Sequence, residues 1–238
     1  MLGSLLQKEL PGILQRVQNG EMLFPSHTGH QPAGKVYRCP PLPERVSHGL
    51  DDSAWAEVPR QACEETLGDQ PGGDLTDWHT SWQALWSHSH LYVRVRCRDP
   101  RGIPPVPGTA LRLFEREHLT VSIEPRRLWP GVHFTTDPRG VGHCDRIRSI
   151  PDAAWAVTTE PWEQGWIAHF TIPWGDLGER GLAPERLRIN VQRVLQNQTR
   201  LSWVSLHPVP LRLYCFGTYN PTDFGWLFLE PHRTMGVS

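Results

Sequence analysis

Between residues 91 and 98 the chain alternates without a break. Leu91, Val93, Val95 and Cys97 fall on one side; Tyr92, Arg94, Arg96 and Arg98 fall on the other. A period of two is the period of a β-strand, because successive side chains leave opposite faces of the pleat. The pattern predicts a strand with an apolar back on a core and an arginine-bearing front in water or in a polar groove. The alternation returns downstream. Leu119, Val121 and Ile123 oppose Thr120 and Ser122; Trp166, Ala168, Phe170 and Ile172 oppose Ile167, His169 and Thr171; Leu187, Ile189 and Val191 oppose Arg188, Asn190 and Gln192. With shorter segments at 36–38, 81–86, 133–136, 153–158, 200–205 and 224–229, this makes roughly nine or ten short strands with little helix between them. Residues 49–55 read as a turn into a short helix, with Asp51 or Asp52 capping its free N–H groups and Trp55 turned inward one turn later. Residues 1–24 offer one or two helical turns and residues 25–35 a loop. The expected architecture is all-β: an antiparallel β-sandwich of the jelly-roll kind over residues 36–238, with a helical or irregular appendage at 1–35.

Composition supports that reading and narrows the function. Twenty-three prolines and 21 glycines punctuate the 238 residues, which suits short strands joined by turns. The formal net charge is −1, with no basic run, so nucleic acid is not an expected partner. No apolar stretch approaches the ~20 residues of a membrane span, and the first residues lack the basic flank of a secretory signal. No membrane partner is expected. A cytoplasmic protein is the simpler expectation, with secretion left open. The five cysteines, Cys39, Cys63, Cys97, Cys144 and Cys215, have no paired spacing and are expected to be reduced. Eleven tryptophans are many for this length; Trp55, Trp82, Trp86, Trp166 and Trp203 are expected in the core.

The order of motifs resembles a known family. Gly49-Leu50-Asp51-Asp52-Ser53-Ala54-Trp55 is similar to the opening "G-x-hydrophobic-D-D-x-x-W" of the family 9 carbohydrate-binding modules. Ala84-Leu85-Trp86, Leu91-Tyr92-Val93 and Asp99-Pro100 resemble their "LWD…LYV…DP" signature. The stretch 117–125 falls where the family has a "DSVEIFIDP"-like strand. Gly165-Trp166-Ile167, Ile172-Pro173-Trp174, 188–193, Ser202-Trp203 and Phe224-Gly225-Trp226-Leu227 follow in order, so the resemblance covers about residues 45–230. It implies a jelly-roll sandwich that binds a mono- or oligosaccharide between two aromatic rings, with structural calcium as a possible cofactor and an association with polysaccharide or oligosaccharide catabolism. Flat rings suit the apolar C–H faces of a sugar, while fixed polar groups read its hydroxyls.

By position, the resemblance makes Phe114 and Tyr219 the clamp rings and Gln192 a sugar contact. Arg98 and Arg193 are long forked donors suited to pairs of hydroxyls. Two aromatic faces and a few hydrogen bonds correspond to micromolar affinity, about −7 to −8 kcal/mol. The chain departs from the family at His118 and Thr120, where acids are usual, at Ser87 in place of Asp, and at 134–137, which carries no arginine. The calcium-ligand positions are thinned accordingly.

Other chemistry finds little support. There is no G-x-S-x-G, P-loop or HExxH, and no catalytic residue is expected. Glycoside hydrolysis needs two carboxylates across a cleft, and Glu115, Glu117, Glu124, Glu163 and Asp176 are merely scattered acids. If the chain were an enzyme, hydrolysis of O-glycosyl bonds would be the reaction. An interaction or scaffold domain with a decayed sugar site is the alternative from another class. His88 and His90 read as a strand-to-strand turn rather than a metal pair. The methionines that an axial haem ligand would need, Met1, Met22 and Met235, lie outside the strand series.

Overall fold

The computed structural model describes residues 35–43, 50–65, 77–100, 117–124, 132–145, 154–177, 183–195, 200–204 and 224–231. Residues 1–34 of the appendage, Cys215, Phe114, Tyr219, Glu115 and the three methionines lie outside the described residues. Within them run twelve strands: β1 (Val36–Cys39), β2 (Gln61–Glu65), β3 (Thr80–Trp86), β4 (His90–Arg98), β5 (His118–Glu124), β6 (Val132–Thr136), β7 (Gly142–Asp145), β8 (Ala156–Trp162), β9 (Gly165–Pro173), β10 (Arg186–Val194), β11 (Arg200–Ser202) and β12 (Gly225–Leu229). A short helix, α1 (Asp52–Trp55), precedes β2, and a 3-10 turn (Trp174–Leu177) follows β9.

The strands form two layers. In one, β7, β6, β5 and β10 pair antiparallel in that order, and the far edge of β10 is shared by β11 at one end and β12 at the other. In the second, β2, β3, β4, β9 and β8 form an antiparallel ladder, and the β2–β11 pairing joins the layers at a corner. Strand β1 pairs parallel with β12. The alternating apolar sets read from the sequence all enter one core: Leu91, Val93, Val95 and Cys97 meet Leu119, Val121, Ile123, Leu187, Ile189 and Val191. Trp82, Trp166, Trp174 and Trp203 are fully buried there, with Tyr37 and Trp203 packed 4.6 and 4.9 Å from the Trp82 ring. Cys39, Cys63 and Cys97 are buried free thiols. No described helix is long and apolar enough to cross a membrane.

Three departures from the sequence reading have physical causes. β2 and β7 carry no clean alternation and went unpredicted. The eighth strand lies at 156–162, three or four residues later than expected, and includes Pro161; β8 is an edge strand, where a missing N–H costs no ladder bond. The arginine front of β4 is not a free surface. Helix α1 packs on it, Gln83 Nε2 donates to the carbonyls of Trp55 and Val58 at 2.9 and 2.7 Å, and Arg94 is buried with its guanidinium on Asp52.

Candidate functional site

The side of β10 that faces away from the core carries Arg188, Asn190 and Gln192, in a strand whose other side is Leu187, Ile189 and Val191. Antiparallel register sets each of them beside a polar partner on β5: Arg188 opposite Glu124, Asn190 opposite Ser122, Gln192 opposite Thr120. The rows continue onto β6. Thr120 and Thr135 share a hydrogen bond at 3.0 Å, and His133 Nδ1 lies 2.9 Å from the Ser122 hydroxyl. The outer surface of this sheet is thus a polar carpet three strands wide. It ends at Trp226 on β12, whose ring lies 4.5 Å from the Arg188 guanidinium and 5.2 Å from that of Arg186.

These groups are largely withdrawn from solvent, so their hydrogen bonds must be accounted for. Asn190 is satisfied: its Nδ2 donates to Ser202 Oγ at 2.9 Å and its Oδ1 accepts from the Val204 N–H at 3.0 Å. Gln192 is not. It is 9% exposed, and its Nε2 has no acceptor. A buried donor without a partner costs about 1–3 kcal/mol.

The other candidates fall elsewhere. Arg193 is the next residue on β10, so the pleat turns it to the opposite side from Gln192. It is fully buried between the layers, donating to Glu117 Oε1 from Nε at 2.9 Å, to the Arg98 carbonyl at 2.8 Å and toward Thr80 Oγ1 at 3.4 Å. Its ring neighbours are Trp78 and Trp166. Arg193 therefore stands behind the carpet and presents no donor to a ligand on it. Arg98 ends β4 on the outer side of the second sheet, half-exposed and 4.0 Å from Asp77. Gln192 and Arg98 thus lie on opposite faces of the sandwich and do not share one groove.

The acids show the same pattern of internal use. Glu117 accepts from Arg193 and from Trp166 Nε1, Glu124 lies 3.9 Å from Arg188, and Asp176 accepts from the Trp155 N–H. No three His, Cys, Asp or Glu side chains among the described residues converge on a metal position. Glu117 and Glu124 are each held by an arginine. His88 and His90 do form the β3–β4 turn, where Ser87 Oγ accepts from the His90 N–H at 3.1 Å. The sequence reading passed over His133, Thr135 and Ser202. Alternation marked Asn190, Thr120 and Ser122, and the family resemblance marked Gln192; the β5–β6 and β10–β11 register needed to gather the rest is not written in any local pattern.

No protein-family model and no curated protein matches the chain. Solved structures do. A family 9 carbohydrate-binding module from Caldicellulosiruptor kristjanssonii in complex with cellotriose superposes with a TM-score of 0.60 at 12% identity, over 86% of this chain and 98% of that one. Such a module from the same organism in complex with glucose gives 0.58 at 12% identity, over 84% and 98%. A protein from Bacteroides uniformis gives 0.61 at 14% identity, over 83% and 100%. At this identity the likeness is one of fold, and the fold is that of the family 9 modules.

Proposed function

We propose that this chain is a non-catalytic carbohydrate-binding protein, with its site on the outer face of the β5–β6–β10 sheet. The observation that carries the reading is the Gln192 amide: nine-tenths buried, set among hydroxyl-bearing neighbours, and short of an acceptor. Sugars offer such an acceptor on every carbon but one or two, and Thr120, Ser122 and His133 add groups that can both donate and accept. The shared fold supports the assignment, since the modules it resembles were solved with cellotriose and glucose. We assign the stacking rings to Phe114 and Tyr219, and the role to holding a glycan for polysaccharide or oligosaccharide catabolism carried out by another protein.

Calorimetric titration with glucose, cellotriose and xylobiose tests the proposal. A micromolar dissociation constant is expected for at least one of them, weakened about tenfold or more in Gln192→Ala, as loss of a buried hydrogen bond requires. Phe114→Ala and Tyr219→Ala are expected to abolish binding. The absence of heat for any saccharide would overturn the reading in favour of a scaffold domain.

A further inference from the structure

A cavity of about 540 Å³ lies on the outer face of the second sheet, across the sandwich from Gln192. That volume is in the range of small-molecule sites. It opens beside α1, whose Trp55 ring packs edge-on against the His169 ring of β9 at 6.4 Å. Register lines Thr158 up with His169 and Ala156 with Thr171 on the floor. Trp55, Tyr92 and Leu50 form an apolar wall.

The rim is acidic, and its carboxylates differ in how far they are neutralised. Asp52 is taken by Arg94 and by Arg96 at 3.7 Å. Glu160 meets the His169 ring at 3.1 Å. Asp51 has no cationic partner among the described residues. It accepts from the Ser53 hydroxyl at 2.6 Å, from the Ala54 N–H at 3.2 Å and from the Ser53 backbone, and these bonds hold its carboxyl below the usual range. One more group is short of a partner: the Nε1–H of Trp55, in the wall, has no acceptor. The described residues gather no metal-ligand set, and an aromatic and aliphatic wall suits carbon rather than a bare ion.

We propose that this cavity is a second binding site, for a hydroxylated organic ammonium ion such as an amino sugar. The ammonium group lies against the Asp51 carboxylate, where Tyr92 adds the attraction of a ring face for a cation. The carbon skeleton rests on Leu50 and Tyr92, and the hydroxyls face Thr158, Thr171 and His169. The site is independent of the Gln192 face.

Titration of the full chain with glucosamine, and with glucose as the uncharged control, tests it in Gln192→Ala, whose first site is disabled, with and without Asp51→Asn. Asparagine caps a helix as well as aspartate does, so Asp51→Asn removes the charge and keeps the cap. Asp51→Ser, which also caps, is the second variant. Glucosamine is expected to bind Gln192→Ala more tightly than glucose does; that binding is expected to fall about tenfold when either Asp51 variant is combined with Gln192→Ala and to weaken as salt is raised. Equal glucosamine affinity in Gln192→Ala with and without Asp51→Asn overturns the proposal. So does the absence of glucosamine binding, or its loss in Gln192→Ala alone. Loss of glucose binding in Gln192→Ala bears only on the first site, so the two readings fail separately.

Discussion

Glu117 and Arg193 meet in the interior between the layers, and nearly every polar atom they bring is used. Glu117 Oε1 accepts from Arg193 and Trp166, and Arg193 also reaches a backbone carbonyl. Removing one partner strands the other charge away from water, which typically costs 3–5 kcal/mol. Glu117→Ala is expected to lose about that much stability in urea unfolding, and Glu117→Gln less, because the amide oxygen can still accept. The thiols provide a second test at this scale. Burial pushes Cys97 up to about 12 from the ordinary 9.0, and raises Cys39 and Cys63 as well. A raised thiol value favours the fold while the unfolded thiol stays neutral. That contribution is whole below about pH 9 and is lost as pH climbs from there toward 12. Unfolding midpoints are therefore expected to drop on the alkaline side, and native-state alkylation to label Cys144 before Cys39, Cys63 or Cys97.

Among the elements, the strands with strict alternation were legible, since their apolar sides are the core. Those whose position depends on a partner were not. β2 (Gln-Ala-Cys-Glu-Glu) exists because β3 and β11 flank it, and β7 because β6 does. Helix α1 was legible from its cap, and Asp51 does accept from the Ala54 N–H. What it covers was not, so Arg94 read as solvated when it is an ion pair beneath a helix. The turn between β8 and β9 turns on Gly165, at φ +151°, where an added Cβ would come within 2.1 Å of the Cys97 carbonyl oxygen. Gly165→Ala is expected to cost about 2–3 kcal/mol or more, from a backbone conformation closed to alanine and a clash with backbone on β4. The thermal midpoint measures it; an unchanged midpoint would mean the hairpin can shift away from β4.

For the whole molecule, the family resemblance anticipated the layered fold, and Gln192 occupies the outer face of one sheet. The proposed grouping of Gln192 with Arg98 and Arg193 did not survive folding, for a geometric reason. Neighbours on a strand point apart, and the outer sides of two stacked sheets face opposite ways. A list of good donors carries no information about which side each one takes. The central claim is that saccharide binds on the Gln192 face. It is tested most directly by following side-chain amide resonances in a ¹⁵N NMR titration with cellotriose. Selective, saturable shifts of the Gln192 and Asn190 side-chain amides, with the Gln83 amide on the far sheet unmoved, are the predicted result. Unchanged Gln192 and Asn190 signals at millimolar cellotriose would contradict it.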